Sequence, residues 1–136
     1  MGPEMDEWVR LEPGEYHVER AVVVAPDRSA VGLFEPYMEV FNDPGGRRRL
    51  VVRALAYSLH LVALMEESDQ LDVLLDLGSR FTYRLRRPLI SAGKIFSPGV
   101  RSAIQITPDA PWEPLGREDF DERIRRLAFV EEDTGT

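Results

Sequence analysis

Hydrophobic and polar positions along this chain repeat with two different periods, and the changes between them mark its elements. Residues 15–25 are rich in β-branched side chains and stop at Pro26, which predicts a strand. Val31, Phe34, Tyr37 or Met38, and Phe41 then recur at helical spacing behind Asp27, a candidate N-cap. Pro36 would remove a backbone donor inside that helix, so a kinked helix and an extended segment are comparable readings. Asn42-Asp43-Pro44-Gly45-Gly46 is the strongest punctuation in the chain. After it, Leu50, Val51, Ala54, Leu55, Ser58, Leu59 and Val62 fit one helical stripe, while Tyr57, Leu61 and Leu64 fill a neighbouring one. Alanine and leucine favour a long helix here, although Leu55, Tyr57, Leu59 and Leu61 also alternate as in a strand. With the helix adopted, its two apolar faces make it central or turn one face to a partner.

Period two returns at Leu71, Val73, Leu75 and Leu77, which alternate with Asp72, Leu74 and Asp76; Phe81, Tyr83 and Leu85 alternate with Thr82, Arg84 and Arg86. Gly78-Ser79 between them predicts a hairpin. A two-residue loop would set Leu77 against Arg80 and Val73 against Arg84. Counting Arg80 in the loop pairs Leu77 with Phe81, Leu75 with Tyr83 and Val73 with Leu85, so this register keeps each face uniform. A short helix from Ser68 to Leu77, stopped by Gly78, is the rival. Residues 88–99, with two prolines and two glycines, are expected to form a loop, and Val100, Ile104 and Ile106 mark a further strand. Phe120, Ile124 and Leu127 mark an amphipathic C-terminal helix from about Arg117 to Phe129. The predicted fold is therefore α+β: an antiparallel sheet of about four strands, one long central helix and the amphipathic C-terminal helix.

With 136 residues the chain is expected to be a single domain over 1–136, with residues 1–7 and 131–136 frayed. The first seven residues are acidic where a secretory signal would be basic. The most apolar stretch, Leu50 to Met65, is broken by Arg53, Ser58 and His60. A cytoplasmic protein without a membrane partner is the expectation. A net charge of −7 argues against direct nucleic-acid binding, which needs a basic surface to neutralise phosphates. The charge is nevertheless patterned. Residues 1–46 hold ten acids against three arginines, 47–101 hold ten Lys/Arg against five acids, and 102–136 hold nine acids against four arginines.

Within the basic middle, Arg47, Arg48 and Arg49 would open the long helix, where cations oppose its dipole. Together with free helix amides they form a candidate anion-binding site. The structural alternative is pairing with the acidic flanks of the same fold. Glu15, His17 and Glu19 alternate along the first strand and have metal-ligand chemistry, but they splay along the strand as a solvated face does, so no metal is expected. His60 reads as a core histidine. Pro108, Pro111 and Pro114 recur every three residues around Trp112, the spacing of a polyproline II edge and a candidate partner-binding segment; a strap whose Trp112 plugs the core is the bland reading. Asp27-Arg28-Ser29-Ala30-Val31-Gly32 matches the Asp-x-Ser-x-x-Gly half of the pattern in PilZ cyclic-dinucleotide receptors. The arginine pair that precedes that half in the family is missing here, and the match is treated as coincidence.

No P-loop, dinucleotide fingerprint, nucleophile elbow or zinc spacing is present. These features favour a non-enzymatic protein-interaction or assembly module, without a cofactor, that docks on itself as a homo-oligomer or on a protein partner. The rivals are an acidic regulator of a basic, nucleic-acid-processing partner and a small phosphate-ligand enzyme built on Arg47 to Arg49.

Overall fold

The computed structural model describes residues 11–79, 81–92, 101–110 and 112–130. Among them the chain is mostly β, with two antiparallel-dominated sheets packed face to face and two short helices. One sheet has five strands in the order β1-β4-β5-β9-β8, formed by Gly14–His17, Phe34–Asn42, Arg48–Tyr57, Arg101–Thr107 and Leu89–Ala92. The other has six, in the order β10-β7-β6-β2-β3-β11, formed by Glu113–Leu115, Thr82–Leu85, Asp72–Asp76, Arg20–Val24, Ser29–Gly32 and Ala128–Phe129. The helices are α1, Ser58–Glu67, and α2, Arg117–Arg125. This architecture overturns the expected α+β fold with one long central helix and a sheet of about four strands.

Alternation explains the core. Leu50, Val52, Ala54 and Ala56 of β5 point inward with Met38 and Val40 of β4 and Ile104 and Ile106 of β9. They meet Ala21 and Val23 of β2, Val73 and Leu75 of β6 and Leu85 of β7 from the other sheet. Each strand contributes every second residue, as two sheets burying one face apiece require. Leu50, Val51, Ala54 and Leu55 of the same segment fit a helical stripe, which is why period alone misread 50–57. Cross-strand pairing with β4 and β9 along most of its length makes β5 a strand, a non-local contribution that alanine and leucine propensity does not contain. The helical signal survives only in α1, whose Leu61 and Leu64 enter the core beside β3 and β5. A ten-residue helix buried on one side removes the doubly apolar long helix on which self-assembly was expected.

The other expectations fare unevenly. Residues 15–25 are not one strand: the chain leaves β1 after His17, and β2 belongs to the opposite sheet. The segment after Asp27 is extended, and Pro36 lies in β4 where the register with β5 shifts, a place where a missing donor is tolerated. The 71–86 hairpin adopts the uniform-face register, with Val73 opposite Leu85 and Leu75 opposite Tyr83. Leu77 N–H donates to Phe81 O at 2.8 Å, closing the loop. Gly78 takes φ +104° there, a conformation open to glycine and costly for side chains. Part of the expected 88–99 loop is strand β8; residues 93–99 lie outside the described residues, as do the termini expected to fray.

The six-stranded sheet is covered on both faces. Val22, Ala30, Leu74 and Thr82 alternate with the core residues, so they point away from the five-stranded sheet, yet they are buried. Above them lies α2, with Phe120 only 1% exposed. The helix has the predicted acidic first turn and basic last turn, which suits its dipole, but ends at Arg125 rather than Phe129. The chain then turns back as β11, parallel to β3. Among the described residues no helix is long and apolar enough to cross a membrane.

Candidate anion-binding cleft

Because Val73, Leu75 and Leu85 occupy the inner face of the β6–β7 hairpin, Asp72, Leu74, Asp76, Thr82 and Arg84 face α2. The helix is anchored at its first turn. Arg117 sends Nη1 and Nη2 to the two oxygens of Asp76 at 2.8 and 2.7 Å, and its Nε donates to Ser79 O at 2.7 Å. The Arg117 hydrogen bonds hold the Asp76 carboxyl below the usual carboxylate range, against the opposing effect of burial, and Asp76 in turn raises Arg117.

At the far end, where α2 leaves the sheet, there is a cavity of about 380 Å³. Six arginines line it: Arg28 from the β2–β3 turn, Arg84 from β7, Arg86 and Arg87 from the turn after β7, and Arg123 and Arg126 from the end of α2. Among the described residues Asp72 is the lone carboxylate in its lining, and Val24, Pro26, Leu74 and Leu127 supply apolar surface. The size falls in the range of small-molecule sites, roughly 300–1,000 Å³.

Four of the six arginines are held by carboxylates. Asp72 Oδ2 accepts from Arg84 Nε at 3.0 Å and Nη2 at 2.6 Å. Glu113, delivered by β10, reaches Arg86 Nε at 2.6 Å and lies 3.9 Å from Arg84 Nη1. Arg123 pairs with Asp119 at 3.4 Å and Arg126 with Glu122 at 2.9 Å, both one helical turn back. Glu122 also serves Arg125, and these two arginines hold its carboxyl below the usual range. Arg28 and Arg87 make no ion pair or side-chain hydrogen bond with the described residues.

Both of these arginines have left-handed backbones, with φ of 73° and 45°. Only Glu35 and Ser79 share that feature among the described non-glycine residues. The conformation costs roughly 1–2 kcal/mol for a residue with a Cβ, and hydrogen bonds hold each in place. Asp72 Oδ1 accepts the Arg87 N–H at 3.0 Å. In the β2–β3 turn, Arg28 N–H donates to Ala25 O at 2.9 Å, Asp27 Oδ1 accepts the Ser29 N–H at 2.9 Å, and Arg28 O accepts the Ala128 N–H at 2.8 Å. The Ser29 bonds keep the Asp27 carboxyl below its usual range. Turn chemistry thus accounts for Asp27 and Ser29 without any ligand.

The sites expected from sequence are arranged differently. Arg47 to Arg49 lead into a strand, so no helix amides converge there and alternation separates the side chains. Arg48 reaches Leu11 O at 2.9 Å, while Arg49 Nε is bound to Asp43 Oδ2 at 2.8 Å and holds that carboxyl below its usual range. Trp112 stacks on Tyr83 with ring centroids 4.4 Å apart and packs against the core, and Pro114 lies in β10 beside β7. Pro108 is half-buried, and Pro111 lies outside the described residues. Glu15 and His17 sit on β1, but Glu19 follows a bend and binds the Asp76 carbonyl through its N–H, so the three form no group. His60 is half-buried on α1, its ring tilted against Tyr57 at 5.7 Å. A larger, more open hollow of about 800 Å³ lies on the outer face of the five-stranded sheet, where Arg53 is occupied by Gln105 and Glu39.

Sequence reading passed over the cleft arginines. Arg84 and Arg86 were visible as the polar face of the hairpin, but nothing local brings Arg28, Arg123 and Arg126 beside them. Compared with protein-family models, curated proteins and solved structures, the chain matches none.

Proposed function

We propose that this protein is a non-enzymatic binding module that receives a small anionic, phosphate-bearing ligand in the cleft between the end of α2 and the β6–β7 hairpin. The observation that carries this reading is that, among the described residues, six arginines surround one cavity with a single carboxylate in its lining. Guanidinium forks match phosphate oxygens in pairs, which makes arginine the suited residue for such a site. Among the described residues the lining is dominated by arginines held for binding, and its one carboxylate, Asp72, is engaged by Arg84 and the Arg87 N–H. The net charge of −7 favours a small ligand over a nucleic acid, because the acidic remainder of the surface repels a long polyanion while a compact one senses mainly the local field.

The test is titration of the purified protein with pyrophosphate and phenyl phosphate at low and high salt, followed by calorimetry and thermal melting. Saturable binding that raises the melting temperature and weakens steeply with salt is expected, and it should be lost in an R84A/R86A double variant. No saturable binding at low salt overturns the reading.

A further inference from the structure

We propose that Arg28 and Arg87 are the ligand clamps of this cleft, and that they select a phosphate monoester dianion whose organic part lies on the apolar floor. The inference rests on the anion-binding reading above and adds the identity of the contacting groups and the charge of the ligand. It begins with a charge count. Asp72, Glu113, Asp119 and Glu122 offset at most four of the six lining arginines, and the two without a partner among the described residues are Arg28 and Arg87. A ligand that neutralises the cleft therefore carries two negative charges. A monoester at neutral pH has nearly that charge, since its second ionisation falls near pH 6.

The same two arginines stand in left-handed backbones on different segments, the β2–β3 turn and the turn before Pro88. Among the described residues no side-chain contact of either arginine rewards that strain. Strained residues persist where surrounding structure holds them, and they gather at ligand clamps. Asp72 links this strain to the rest of the cleft: one carboxylate oxygen orients the Arg84 fork while the other grips the Arg87 N–H. The floor of Val24, Leu74 and Leu127 offers nothing to a bare phosphate but can bury the apolar body of an ester.

Glycine adopts φ near +45° to +75° without penalty, so R28G and R87G remove the guanidinium and the strain together. Calorimetric titration of the full chain, its R28G and R87G variants and an R47A control uses phenyl phosphate, phenyl sulfate and inorganic phosphate, alongside thermal melts. Each glycine variant is expected to keep or raise the melting temperature and to weaken phenyl phosphate binding by about tenfold to a hundredfold, with R47A unchanged. Phenyl sulfate, a monoanion of nearly the same shape, should bind the wild-type chain more weakly, as should inorganic phosphate. Binding of phenyl phosphate by R28G and R87G at wild-type strength overturns the clamp assignment and leaves the anion site standing. Equal affinity for phenyl sulfate overturns the dianion, and equal affinity for inorganic phosphate overturns the ester. A large fall in melting temperature on either glycine substitution shows the strain to be structural and overturns its link to the ligand. If the wild-type chain binds none of the three probes at low salt, the anion-site reading itself falls.

Discussion

Arg47, Arg48 and Arg49 are neighbours in the chain yet end in different surroundings, whereas the six cleft arginines come from three separate stretches and converge on one cavity. The difference follows from backbone geometry. Successive residues leading into a strand point to opposite faces, so a run of like charge is dispersed. Residues i and i+2 of a strand, or i and i+3 of a helix, share a face, so Arg84 with Arg86, and Arg123 with Arg126, concentrate it. A charge cluster in sequence is thus poor evidence of a charge cluster in space when the segment is β.

The contrast depends on α2 staying on the sheet, and its strongest test is removal of the helix's buried anchor. F120A should cost about 3–5 kcal/mol in chemical denaturation and abolish anion binding by removing the wall that carries Arg123 and Arg126. Next in size is D76N, which leaves Arg117 without its paired acceptor and should cost about 2 kcal/mol, checked by the same denaturation midpoint. Smaller again is D72N, expected to cost about 1–2 kcal/mol while weakening anion binding more than D76N does, because it releases both the Arg84 fork and the Arg87 turn.

Acid titration sharpens the same comparison. The Asp76 carboxyl is held below its ordinary value of 3.8 in the folded protein by Arg117. A depressed folded pKa gives stability that is fully present above the unfolded value and is lost as pH falls through the folded one. Melting temperatures of the wild-type chain should therefore fall below about pH 4, and D76N should flatten that limb. Asp43, held down by Arg49 on the exposed turn, shifts in the same direction, but D43N should change the limb less, since water screens that pair. The smallest effect belongs to the dispersed run: R47A should melt as the wild-type chain does, and R49A slightly earlier, with the gap closing at high salt.

Parts of the cleft were legible beforehand. The alternation of residues 71–86 specified the hairpin register, and with it the face that Asp72, Asp76, Arg84 and Arg86 share, because a one-residue slip would have buried those charges. Charge order and apolar spacing located the C-terminal helix. The long helix was misread because Leu50, Val51, Ala54, Leu55 and Leu59 satisfy period 3.6 while Leu55, Tyr57, Leu59 and Leu61 satisfy period 2, and propensity broke the tie the wrong way. What decided it was the pairing of β5 with β4 on one side and β9 on the other, with partners as far away as Ile106.

Local pattern by itself determined the hairpin, the Asn42 to Gly46 turn and the amphipathic face of α2, since each is a matter of which side chains within one segment share a face. Tertiary structure alone decided that residues 48–57 are a strand, that the hairpin's polar face lies under α2, and that the Arg28 and Arg87 side chains beside it have no partner among the described residues. Those outcomes depend on which distant segments meet, and on which carboxylates they bring to which arginines, and no single segment encodes that.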